Sequence, residues 1–271
     1  MKSLTCGLAV LTVLLAAGPA GPAGAAAAAT SAAPADPWTQ VPALPTACYG
    51  NQDDFSEVSR ARIDSLTHDV ERQQAVNDEL AERFRTMDFM EKQRRMSEYM
   101  MQHPQEATKI MEAFQAAGSQ ANTDAKLQAV HEQEQQRAAL DASFGRYRAA
   151  YVATMDPFNR KIAAVGEEFT LWDSPRKKPI NAQADQAYAK LCAQWWRSGP
   201  FLAHLAEYKK TLVQGIPEQQ KAAQLMTTNL SWAGIPAAAY RSTAPMEAVK
   251  HYMERAAEIF SKRDETISHR Q

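Results

Sequence analysis

The sequence predicts an all-α protein, an elongated helical bundle, and three observations carry that prediction. Apolar residues recur at steps of three and four over long stretches, and nowhere alternate convincingly with a period of two. The stretch 53–102 contains neither Gly nor Pro. Three segments, HPQEA at 103, IPEQQ at 216 and APMEA at 244, place Pro at a helix start with an acidic residue in the first turn. Such a Pro sacrifices only an N–H that has no intrahelical partner, and the acid suits the positive end of the helix dipole.

The first thirty or so residues read as a secretory signal. Lys2 gives a basic start, Leu4 to Ala17 form an apolar run, and GPAGPAGAAAAATSAAPA supplies small-residue cleavage sites between 25 and 35. The run is shorter than the roughly twenty apolar residues of a membrane span, so no stable membrane insertion is expected after cleavage. Removal of the signal leaves about 240 residues, enough for one large core. The expected organisation is a signal peptide over 1–30, a Pro-rich extended arm over 31–51 and a single all-α domain over 52–271.

Within that domain two long helices are expected. Over 53–102, Leu66, Val70, Gln73, Asn77, Leu80, Phe84 and Met87 form a heptad seam with two polar positions in its middle. Pro104 ends this helix, and a second runs to Gly118. Over 123–172 the stripe Leu140, Phe144, Tyr147, Tyr151, Met155, Phe158, Ile162, Val165, Phe169 and Trp172 keeps its phase through Pro157. That predicts a continuous helix kinked near Pro157, or two nearly coaxial ones, rather than a turn there. Shorter helices follow at about 181–198, 200–214, 217–231 and 245–264, separated or flanked by Gly199-Pro200, Gly215-Ile216-Pro217 and Gly234-Ile235-Pro236.

Charge and motifs exclude several functions. Thirty basic residues against 31 acidic ones, interleaved in sign, give no electrostatic case for nucleic acid. His131-Glu132 opens like HExxH, but Gln135 stands where the second zinc ligand belongs. His204 and His251 precede Glu207 and Glu254, the reverse of the Glu-x-x-His order of di-iron bundles. No GxSxG, P-loop or strand-linked GxGxxG occurs. No catalytic residue is assigned, and an enzyme of unrecognised type is kept as an alternative. Cys48 and Cys192 survive signal removal, and in an oxidising compartment they are expected to pair.

Five of the eleven methionines fall between Arg85 and Pro104. At about 100° per residue, Met87, Met90 and Met101 share a face with Leu80 and Phe84, while Met96, Met100 and Phe89 lie opposite. Three readings follow. The segment is sandwiched in the bundle, with Met as adaptable filler. Or Met87, Met90 and Met101 form an interaction surface, since Met-rich surfaces suit variable apolar partners; of Trp195 and Trp196, which point about 100° apart on a helix, one sits at such an interface or both pack between crowded helices. Or Met96, Met100 and His103, at i, i+4, i+7, bind Cu(I), whose soft character suits thioether and imidazole ligands.

One group of exported helical chaperones carries LTxxQ motifs. The Leu-Thr pairs at 4, 11 and 66 lack the Gln, and no family is assigned. The sequence therefore predicts an exported protein, periplasmic or secreted, non-enzymatic, acting through protein partners or self-association. Envelope chaperone, adaptor and assembly factor are the forms considered. No cofactor is expected, and a copper carrier is the alternative.

Overall fold

The computed structural model describes residues 36–45, 52–105, 108, 112, 120–166, 174–197 and 199–268, all within a compact unit spanning 36–271. Among the described residues every regular element is helical. After a 3-10 turn at Pro37–Gln40 come α1 (Gln52–Thr86), α2 (Phe89–Gln102), α3 (Gln120–Ala164) and α4 (Lys178–Cys192). A π turn (Ala193–Arg197), α5 (Pro200–Trp232), a 3-10 turn (Ala237–Ala239) and α6 (Ala244–Ser268) complete the order. The all-α prediction holds, and no helix among the described residues is long and apolar enough to cross a membrane.

The arm is not extended throughout. Asp36 accepts a hydrogen bond from the Trp38 N–H at 3.0 Å and starts the first turn. The Trp38 ring then meets Tyr252 edge-on at 5.6 Å, with the Lys209 ammonium 4.4 Å above it. Val41 and Leu44 follow onto the same core.

The 53–102 segment is two helices, because Asp88 caps the second one. Its carboxylate accepts the Met90 and Glu91 N–H groups at 2.9 and 3.1 Å. Two of the carbonyls that α1 leaves open are also met: that of Arg83 accepts from Thr86 Oγ1 at 3.4 Å and that of Arg85 from Lys92 Nζ at 2.8 Å. A side-chain cap with satisfied ends on both sides outweighs the absence of Gly or Pro.

The polar positions of the α1 seam have a local cause. Asn77 donates to the Arg241 carbonyl at 2.8 Å and accepts from the Arg241 N–H at 3.2 Å. Gln73 donates to the Ala239 carbonyl at 2.9 Å. The two amides thus satisfy the backbone of the strap between α5 and α6, while Leu66, Val70 and Leu80 bury the seam on either side.

Pro157 lies inside a continuous α3, as its unbroken stripe predicted. The helix ends at Ala164, before Gly166 at φ +86°, and Phe169 and Trp172 lie outside the described residues. The expected break at Gly215-Ile216-Pro217 does not occur, and 200–214 and 217–231 are one helix. Pro217 and Val213, whose carbonyl it leaves without a helical partner, are both exposed. Water can therefore satisfy that carbonyl, so the proline costs less than it would in a core.

The main core gathers α1, α3, α4, α5 and α6 around Leu66, Leu140, Tyr147, Phe201 and Phe260. Trp195 and Trp196 belong to it, which favours packing between helices over the interface reading. Trp196 is 2% exposed and stacks on Phe201 at 4.2 Å. Trp195 is partly buried, with its ring 5.8 Å from Tyr147 and 6.1 Å from Phe201. Successive helical residues diverge by about 100°, and accordingly Trp196 is the buried one while Trp195 reaches the same cluster only partly buried, from the π turn at 193–197. Arg263, 1% exposed, closes it, its guanidinium 5.4 Å from the Trp196 ring and 4.9 Å from that of Phe260.

The π turn leaves no room at its exit. A Cβ on Gly199 would run into the Gln194 and Trp195 carbonyls, which are backbone and cannot swing away. Gly199→Ala is expected to lower stability by about 2 kcal/mol or more, read as a shifted urea midpoint and a changed near-ultraviolet tryptophan signal. Ala at the open position Gly145 should instead be neutral or stabilising.

Candidate interaction surface

A second, smaller apolar cluster lies where the C-terminal ends of α1 and α5 meet α2. Leu80, Leu230, Trp232, Ala233 and Ile235 are buried there, with Phe84, Met87, Met96, Tyr99, Met226 and Tyr240 packed against them. Phe84 meets Trp232 edge-on at 5.2 Å, and the Lys92 ammonium sits 5.2 Å from the Phe84 ring.

α2 has no fully buried residue. It is held by Met96 and Tyr99 on the cluster and by polar hooks. The principal hook is Arg95, whose guanidinium donates to the Ala233 carbonyl. That carbonyl lies at the C-terminal end of α5, where the helix dipole favours a cation. Gly234, at φ +71°, completes this end, and a Cβ there would strike the Arg95 guanidinium. Glu91 holds Arg95 from below at 2.6 Å and also pairs with Arg94 at 2.8 Å; Arg94 reaches on to Glu98 at 2.7 Å. The hydrogen bonds from Arg94 and Arg95 pull the Glu91 carboxyl down to about 2.

The outer side of α2 carries large apolar groups in water. Phe89, Met90 and Met101 are 66%, 67% and 68% exposed. Met90 and Met101 are eleven residues apart, so they sit about 20° apart around the helix and roughly 16 Å apart along it. Beside α2, Phe84 and Met226 floor a groove of about 400 Å³ between α1 and α5, rimmed by Asp78, Glu82 and Arg85.

The predicted surface residues are thus divided. Met90 and Met101 are exposed. Met87 is not on their face, because it lies in the α1–α2 junction and packs against the second cluster; the break at Asp88 ends the phase that joined it to them. Phe89 belongs to the exposed group, and Arg95 and the groove were not foreseen. Asp88-Phe89-Met90-Glu91 has the spacing of a capping box, the one sequence signal that could have located the break.

Of the proposed copper ligands, Met96 packs into the cluster and Met100 is partly buried. His103 has left the helix at φ −130°, ψ 60°, with its ring 4.5 Å from that of Tyr99. Among the described residues no group of three His, Cys, Asp or Glu side chains could hold a metal ion. Cys192 is buried at 1% exposure, and Cys48 lies outside the described residues.

No protein-family model matches the chain, and no curated protein or solved structure does.

The Glu91 hub makes α2 sensitive to acid. Its carboxyl is depressed below the ordinary 4.5, so its contribution is complete above that value and is lost as pH falls toward 2. Carbon-detected titration should place the Glu91 midpoint near 2. In Arg95→Met, α2 should show faster amide exchange at neutral pH. A Glu91 midpoint near 4.5 would refute the hub.

Proposed function

We propose that this chain is an exported, non-enzymatic helical protein that acts by contacting other polypeptides through the outer side of α2, as an envelope chaperone, adaptor or assembly factor. The observation that carries the reading is the exposure of Phe89, Met90 and Met101 on one fourteen-residue helix. Large side chains left in water on a single short element are more than the scattered apolar exposure of an ordinary surface. Methionine adapts to partners of different shape through its three flexible bonds. The basic start, apolar run and small-residue exit at residues 2–35 support export, and export supports a Cys48–Cys192 link.

The contact reading is tested by crosslinking in the cell envelope and identifying what is recovered with the chain. Phe89→Glu, Met90→Glu and Met101→Glu should each reduce capture several-fold while leaving the thermal midpoint within a few degrees, since exposed substitutions alter stability little. Val152→Glu, exposed on α3, should leave capture unchanged. Equal capture by all four variants would remove α2 from the function.

Export makes a separate prediction. N-terminal sequencing of the recovered chain should begin between residues 25 and 35, and a non-reducing peptide map should join the Cys48 and Cys192 peptides.

A further inference from the structure

The geometry points to α2 as a two-stage site of methionine oxidation, in which a peroxide first modifies the exposed Met90 and Met101 and then, at Met96, releases the helix from the protein. The chemistry is direct. The thioether sulfur attacks one peroxide oxygen, the O–O bond breaks, an S–O bond forms, and the proton on the sulfur-bound oxygen passes to the departing hydroxide to give water. The sulfur loses two electrons and the peroxide gains them. An apolar side chain becomes a polar sulfoxide.

The positions of the sulfurs set the order. Met90 and Met101 are two-thirds exposed and belong to neither apolar cluster. Their oxidation leaves both clusters as they are and makes the outer side polar. Met96 is partly buried against Leu230, Trp232 and their neighbours. A sulfoxide there would place a strong dipole against the apolar side chains of the second cluster. The consequence is local because α2 contributes no fully buried side chain. Once Met96 no longer packs, Tyr99 and the polar hooks of Arg95 and Lys92 remain to hold the helix. The main core is insulated: Met253 is 2% exposed, within α6.

The inference is independent of what the chain binds, since it concerns only modification and docking of α2 in the intact protein. The test is a hydrogen peroxide titration of the intact chain, followed by peptide mapping and by amide exchange of the 89–102 peptides. Met90 and Met101 should convert at least about tenfold faster than Met253, with exchange over 89–102 unchanged while Met96 is still reduced. As Met96 converts, exchange over 89–102 should accelerate while the α6 peptides keep their protection. Met96→Leu, a near volume-conserving change in the cluster, should keep α2 protected at peroxide doses that release it in the wild type. Met90→Leu paired with Met101→Leu should not. Equal rates at Met90 and Met253, or full α2 protection after complete conversion of Met96, would overturn the proposal.

Discussion

The register change at 193–197 is the constraint on which the main core depends. Trp195 and Trp196 are adjacent, yet both are directed at rings on α3 and α5. The π turn follows directly where α4 ends, and Gly199 lets the chain leave it without a Cβ against the Gln194 and Trp195 carbonyls. Everything around the cluster follows from that placement. Phe201 can stack on Trp196, Tyr147 can meet Trp196 and Phe201 edge-on at 5.2 and 6.0 Å, and Arg263 finds aromatic faces for a charge removed from water. Burial pushes the Tyr147 hydroxyl up, offset in part by the Trp196 N–H and the Tyr188 hydroxyl beside it.

The two clusters divide the labour. The main one draws side chains from five helices and contains a desolvated arginine, so losing any one contributor leaves several buried groups unmatched. The smaller one draws its buried residues from the end of α1 and from the end of α5 with the turn after it, and it receives α2 only through partly buried groups. Local stability tracks such differences, and elements with few buried contacts open at lower free energy than the whole fold. α2 is therefore the part of the described chain best suited to change its environment without unfolding its neighbours.

Much of this was legible because long apolar periodicities are hard to satisfy any other way. Leu140, Tyr147, Tyr151 and Met155 are buried on one line, and Pro157 does not interrupt it. The errors share a cause: they occur where a local polar interaction competes with a backbone rule. Asp88 ends a helix that no Gly or Pro interrupts. Pro217 fails to end one, because the carbonyl it orphans faces water. Gln73 and Asn77 read as weak points of a seam and are the anchors of a strap 164 to 166 residues away. No periodicity encodes a partner at that distance. The division of the methionines was half legible for the same reason, since a helical wheel drawn from Met87 is valid only up to the residue at which the helix stops.

The form of the exposed patch bears on what kind of contact it suits. On the line between Met90 and Met101 lie Arg94 and Ser97, with Glu98 beside them, and Arg94 is engaged by Glu91 and Glu98. The thioethers are thus separated by an ion-paired polar waist and do not merge into one large apolar area, which limits non-specific association. A rigid, continuous groove would select one complementary partner. Two flexible apolar knobs about 16 Å apart, plus an exposed phenyl ring at the helix start, instead suit a weak hold on apolar side chains spaced along another chain. A small contact of that sort gains affinity by engaging several such side chains at once rather than by shape. Five helices and a buried arginine fix the scaffold, and one lightly held helix carries the exposed apolar groups.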